Sequence, residues 1–324
     1  MKVSIEKLGS ALLNIVGKNY KTEEAQRIID VLLWADMSGI DTQGIIKLTG
    51  TEPLQNIQPK HEIKIERDKK FSVLINAGAH PAPLVCQQAT DIVIEKAKEY
   101  GMSIVGIHNT YSSNGAQSFY VDRIAQENLV GIMASRSPAA VAPFNSIDAL
   151  FGTNPIGFSF PTNKEPLLFD MATSALTWYG LVQAKANGKK IPGDVAIDKN
   201  GNRTNDPTAA MNGALLPFDR SYKGSGLGLV VELLAGPFVH AGFGDLESEW
   251  GTILIAIDPD LMGDVQKFKD HSSTLIEMIR KSRSQTGEKV RLPGEQARKK
   301  YTEAMQSGLV DIDPEILQQL KITL

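Results

Sequence analysis

Residues 224–229 read GSGLGL, inside the longer run YKGSGLGLVVELLAG at 222–236. Taken as a dinucleotide fingerprint, the stretch would make this a doubly wound, parallel-sheet protein. That fingerprint needs G-x-G-x-x-G directly after a strand, so that the pyrophosphate meets the helix N-terminus. Here the spacing is G-x-G-x-G, and Tyr222-Lys223 before it belong to a polar loop. The run therefore predicts a buried helix ending at Gly236, whose small residues allow close packing. Lys223 stands out, because the helix dipole repels a cation in the first turn. It calls for an anion nearby, and a helix N-terminus attracts anions, so a phosphate would satisfy both.

Outward from this helix the pattern alternates. Residues 5–17 and 23–37 predict helices, the second with Ile28, Ile29, Leu32, Leu33 and Ala35 on its apolar face and Thr22 as its cap. Strands are expected at 62–66 and 71–77, a helix at 84–101 closed by Gly101, a strand at MSIVGIHN, a helix at GAQSFYVDRIAQEN and a strand at LVGIMAS. GFSFP, LLFDM and GTILIAID (251–258) add strands, and a Gly/Pro/Asn-rich loop region fills roughly 187–222. Asp258-Pro259 predicts a helix start, with the helix running to about Arg283, and Asp313-Pro314 repeats the device. The expectation is an α/β (α+β) fold: a mixed-sheet core flanked by helices from both chain ends. We divide it as 1–60, an N-terminal helical segment packing with the C-terminal helices; 61–258, the mixed α/β domain; and 259–324, the C-terminal helical segment.

The 324 residues suffice for a large buried core, and a net charge of −3 gives no reason to expect a nucleic-acid or anionic-membrane partner. Cys86, the one cysteine, excludes a disulfide framework and reads as core. The N-terminus has an apolar stripe at helical spacing, not a continuous leader, and LGLVVELLAGPFV is too short to span a bilayer, so a soluble cytoplasmic protein is expected. None of His61, His80, His108, His240 and His271 pairs at metal-ligand spacing, so no metal site is expected. His108 ends a strand in IHNTYSSNG, a common site position, although a satisfied histidine in a turn is the more ordinary reading of any single histidine. GTNPIGFSFP (152–161) and FDMATS (169–174) put short polar residues at strand ends, where they can grip a ligand or merely make turns. Arg136 in ASRSP reads as a surface arginine, with a cofactor 2′-phosphate as its alternative partner.

Taken together, GTNPIGFSFP, FDMATS, IPGDVAIDKNGNRTNDP, YKGSGLGLVVELLAG and RLPGE at 291–295 occur in one order over nearly the whole chain. In that order they resemble the malate/L-lactate dehydrogenase family of the second type. The family also includes 2,3-diketogulonate reductase, ureidoglycolate dehydrogenase and cyclic ketimine reductases. The resemblance implies a non-Rossmann fold, a homodimer and a nicotinamide cofactor, NAD(H) or NADP(H). It places that cofactor near Asn154, near Asp170, Met171, Ala172, Thr173 and Ser174, near Lys223 and Gly224, and at the Gly294-Glu295-Gln296 turn.

The substrate side departs from the family pattern. Where the family has Ser-His-Gly and an arginine three residues on, this chain has Thr42-Gln43-Gly44 and Lys47. A second family histidine is Ser113 here, and the tryptophan often found at 193–198 is Val195. Reducing a ketone needs a hydride at carbon and a proton at oxygen, and an amide does not give up a proton near neutral pH. Three solutions stay open: Lys47 as acid, one helical turn from Gln43; His80 or His108 reaching in; or a substrate needing no protein acid, such as a protonated cyclic imine. Lys47 can instead face a substrate carboxylate. The candidate catalytic residues are Gln43, Lys47, Ser113 and His108, acting on a small carboxylic acid. A catalytically silent nicotinamide-binding sensor or partner subunit is the alternative.

Overall fold

A computed structural model describes residues 1–49, 53–246 and 248–323. β1 (Lys2–Ser4) leads into α1 (Ile5–Val16) and α2 (Thr22–Met37). On α1, Leu8, Leu12 and Val16 are spaced one turn apart and fully buried, as an amphipathic stripe is when another layer covers it. Lys21, not Thr22, takes the cap position of α2, and its N–H donates to the Glu24 carboxylate at 3.0 Å. The glutamate three residues on closes this helix start better than a threonine hydroxyl one place too late.

The middle of the chain builds the sheet from β2 (Lys64–Lys69), β3 (Ser72–Asn76), β4 (Met102–Thr110), β5 (Val130–Arg136), β6 (Ile156–Phe160) and β7 (Leu167–Met171), with α3 (Ala82–Tyr100) and α4 (Gln117–Gln126) between them. α5 (Trp178–Ala186), β8 (Ala196–Ile197), α6 (Pro207–Met211) and β9 (Ala214–Leu215) enclose a small core that includes Leu181, Ile191 and Val195. α7 (Tyr222–Ala235) and β10 (Trp250–Ile257) follow, then α8 (Val265–Arg280), α9 (Glu295–Ser307), β11 (Leu309–Asp311) and α10 (Pro314–Gln319).

The seven-stranded sheet runs β2-β3-β4-β10-β5-β6-β7. Its β3–β4 pair is parallel and every other neighbouring pair is antiparallel. A dinucleotide fold of the doubly wound kind would be mostly parallel, so the rejection of the GSGLGL fingerprint holds at the level of topology. β10 sits between β4 and β5, with Ile253, Leu254 and Ala256 buried. α3 and α4 pack Val85, Cys86, Ala89, Val93, Tyr120 and Val121 against Val105, Ile107 and Leu254. Burial pushes the Cys86 thiol well up, as a core position would.

The two chain ends form one layer. β1 pairs antiparallel with β11, and Leu8, Leu12, Ile28, Leu32, Ile45 and Leu48 share a core with Ala304, Val310, Ile312 and Leu317. The helix expected from Asp258 begins later: Pro259–Leu261 make a short 3-10 turn, and α8 starts at Val265. Gly263, at φ +153°, breaks the run, and Asp264 caps α8 by accepting the Lys267 N–H at 2.7 Å. No helix among the described residues is long and apolar enough to cross a membrane.

Candidate active site

α2 ends in a buried run, Leu32 to Met37, that includes the charged residue Asp36. Gly39, at φ +68°, turns the chain back, and two 3-10 turns follow, Asp41–Gln43 and Ile45–Leu48. Gly44 between them is extended, so Gln43 and Lys47 do not share the continuous helical face that spacing suggested. The break has a tertiary cause: the Ile45 N–H donates to Asp36 Oδ2 at 2.8 Å, and a Cβ at Gly44 would overlap the Asp36 carboxyl. Burial, with a smaller contribution from Asp41 and against the Ile45 hydrogen bond, pushes Asp36 up to about 8.

The two residues standing where the resemblance led us to expect histidines meet: Ser113 Oγ donates to Gln43 Oε1 at 3.3 Å. The Ser113 loop is fixed from below. Asn114 Nδ2 donates to Ser135 Oγ and Thr252 Oγ1 at 2.6 and 2.8 Å, Gln117 Nε2 donates to Ser135 Oγ at 2.9 Å, and Tyr120 Oη donates to the Asn114 carbonyl at 2.5 Å. Lys47 is 4% exposed, and burial pulls its pKa down to about 7. Its Nζ lies 3.4 Å from the centre of the Tyr179 ring, on α5, with no carboxylate partner among the described residues. Sequence reading missed Asp36 and Tyr179. A charge inside the apolar run of α2 was the available signal for the first; nothing local marks the second.

His108 is not drawn into this cluster. Its Nε2 lies 3.0 Å from Glu66 and its Nδ1 3.7 Å from Glu249. His80 stands just before α3, its pKa lowered by burial. No contact among the described residues ties either histidine to Gln43. The hydrogen bond to Glu249, then that to Glu66, raises the His108 pKa above the ordinary 6.5 against the opposing effect of burial. The folded protein thus holds this proton more tightly than the unfolded chain. The stabilisation is complete below pH 6.5 and is lost as pH rises through the folded-state value. Urea unfolding across pH should show that loss in the native protein and not in His108→Gln; a native profile parallel to the variant's would refute it.

Of the residues assigned to a cofactor, Asp170 to Ser174 lie at the end of β7 and the Gly294 turn packs at its start. Thr173 Oγ1 lies against Gly228 of α7, the Phe218 N–H donates to the Thr173 carbonyl at 2.9 Å, and the turn at Gly294 (φ +77°) packs on Leu168. Many of the polar side chains here are spent on the protein itself. Asp170 Oδ2 accepts from Ser118 N and Oγ at 3.0 and 2.9 Å, and burial raises its pKa. Asn154 (φ +39°) donates to the Gly228 carbonyl at 3.1 Å and to Glu232 at 2.7 Å. Thr173 and Ser174 hydroxyls donate to the Thr153 and Leu176 carbonyls, and Glu295 pairs with Arg280 at 2.8 Å. Met171 and Ala172 are half-buried, while Lys223 and Gln296 are exposed.

The anion expected at the start of α7 is the chain's own. Asp219 accepts the Ser221 and Gly224 N–H groups at 2.9 and 3.1 Å, and it fills the space a Cβ at Gly224 would need. The Lys223 side chain is exposed. Arg136 is also unlike its expectation: it is fully buried, because Glu232 stands 3.2 Å from its Nε and the Gly244 and Glu249 carbonyls accept from its guanidinium. α7 itself is buried only along Gly224, Ser225, Gly228, Val231, Glu232 and Ala235. Its other face, with Leu229, Val230 and Leu233, is exposed.

A mixed sheet closed by a helical layer from both chain ends, with a polar cluster just after α2 and short polar residues following β7, is the architecture of a non-Rossmann dehydrogenase. The chain belongs to the malate/L-lactate dehydrogenase family, whose model matches residues 3–321. It is 33% identical to the malate/(S)-sulfolactate dehydrogenase of Methanothermus fervidus over 99% of this chain and 96% of that one. It is also 33% identical to the Δ1-pyrroline-2-carboxylate/Δ1-piperideine-2-carboxylate reductase of Pseudomonas putida, over 76% of this chain and 72% of the relative. Among solved structures, the sulfolactate dehydrogenase of Methanocaldococcus jannaschii superposes with a TM-score of 0.85 at 27% identity, covering 99% of this chain and 96% of that one.

Proposed function

We propose that the chain is an NAD(P)H-dependent reductase of small acids whose preferred substrate is a five- or six-membered cyclic imino acid. The observation that carries this is the Gln43–Ser113 contact. Neither side chain gives up a proton at neutral pH, so the residues facing the substrate are built to polarise and position. A protonated cyclic imine already carries the proton that a ketone oxygen would require. Lys47, held without a carboxylate partner among the described residues, is the counter-charge for the substrate's carboxylate, with Tyr179 shielding it from water.

The nicotinamide cofactor would supply or accept the hydride at the end of β7. Lys223 and Gln296 are the exposed side chains left for it, with Gly224, the Met171-Ala172 backbone and the Gly294-Glu295 turn around them. A homodimer fits the exposed apolar face of α7, where Leu233 is 52% and the following Phe238 61% exposed. Ultracentrifugation checks it.

The test is a parallel assay of Δ1-piperideine-2-carboxylate, pyruvate and oxaloacetate with NADH and NADPH. Faster imine reduction is expected, falling as pH rises through the imine's own pKa. Faster turnover of a simple keto acid would overturn the imine preference and make Lys47 the proton donor. A catalytically silent sensor finds no support among the relatives, whose names are those of dehydrogenases and reductases.

A further inference from the structure

Asp36 sits in the last turn of α2, nine residues before the backbone group it holds. Its side chain is 7% exposed, and it receives the Ile45 N–H at 2.8 Å. Gly44 lets the carboxyl lie flat against the backbone, since any side chain there would displace it. Ile45 and Leu48 are buried in the core built from both chain ends, so the segment is pinned on its other side as well. Gln43 and Lys47 flank this pin, one on each side, and the Lys47 N–H donates to the Gly44 carbonyl at 3.0 Å.

We propose that Asp36 is a positioning residue of the enzyme: by receiving the Ile45 N–H it sets where Gln43 and Lys47 stand against the substrate. The proposal rests on the reading of Gln43 and Lys47 as the substrate side. A side chain that only filled core space at this point would be apolar. An acid serves because the extended Gly44-Ile45 link leaves an N–H that no helical carbonyl can take, and a buried N–H without an acceptor is costly. Burial keeps Asp36 largely uncharged at neutral pH, with Asp41 adding to the effect. An asparagine, neutral and carrying the same acceptor oxygen, should therefore do the same work.

The test uses Asp36→Ala, Asp36→Asn and Gly44→Ala, with active sites counted by NAD(P)H titration. Misplacing both flanking side chains should lower kcat/KM about 100-fold in Asp36→Ala, through kcat and KM together, while the nucleotide affinity per folded site stays unchanged. Asp36→Asn should restore most of the loss. Gly44→Ala should reproduce the loss, and combining it with Asp36→Ala should add little, because both remove one contact. Unchanged kcat/KM in both Asp36→Ala and Gly44→Ala, with a clear loss in Lys47→Ala, would refute the role of Asp36. No loss in Lys47→Ala and Gln43→Ala either would instead refute the site reading beneath it. If Asp36→Ala does not fold, the Asn and Gly44→Ala variants decide the matter alone.

Discussion

Lys47→Met lowers kcat/KM for a carboxylate substrate by roughly 10–150-fold, mainly through KM; that is the expected result of removing the ammonium. The estimate follows from about 1.5–3 kcal/mol for a hydrogen bond to a charged group and about 1.4 kcal/mol per tenfold. The pH dependence sharpens it. Burial pulls Lys47 down to about 7 from 10.5, so free enzyme loses the charge as pH rises past 7. KM for the acid should then climb above pH 7 in the native enzyme. Lys47→Arg should flatten that climb, because a guanidinium keeps its charge. Stability moves the other way: the depressed pKa means that stability is highest above 10.5 and falls as pH drops to about 7. Steady-state kinetics from pH 6 to 9 on the three proteins checks this. Equal KM values for native and Lys47→Met would place the substrate carboxylate elsewhere.

The second large effect concerns folding. Arg136 is fully buried and Glu232 4% exposed, with Glu232 also accepting from Asn154 and from the Gly244 N–H at 2.9 Å. Glu232→Ala removes a carboxylate 3.2 Å from a fully buried guanidinium. Breaking such a pair from one side typically costs about 3–5 kcal/mol. We expect a loss of that size in urea unfolding, and much of it recovered when Arg136 is also replaced by methionine. The recovery distinguishes an electrostatic effect from a lost packing contact. A single-variant loss below about 1 kcal/mol would show the pair to be well solvated.

Much of the architecture was legible because it is written in local patterns. GSGLGL lacked the spacing and the preceding strand of a nucleotide loop, and the sheet is indeed not parallel. The alternation of helix and strand from 62 to 136 likewise rested on short-range periodicity. The site was legible only as a segment. Gln43 and Ser113 could be named, but their contact joins residues 70 apart. The split of 41–48 into two turns comes from Asp36 reaching back to Ile45, which helical spacing does not encode. Arg136 read as a surface residue because its partner, Glu232, lies on a helix far along the chain. Lys223 kept its exposure but not its axial anion, since Asp219, only a few residues upstream, already fills that place. A loop that folds back onto a helix start leaves no periodic trace.

The pairing of β1 with β11 has a consequence for the order in which this enzyme comes into being. The core behind Ile45 and Leu48 is completed by Ala304, Val310 and Leu317, from the far end of the described fold. Contacts so distant in sequence are entropically slow to close. The sheet can therefore collapse while the segment carrying Gln43 and Lys47 still lacks its wall. The wall behind Gln43 and Lys47 is therefore a late-closing part of the fold, set by the meeting of segments far apart in sequence.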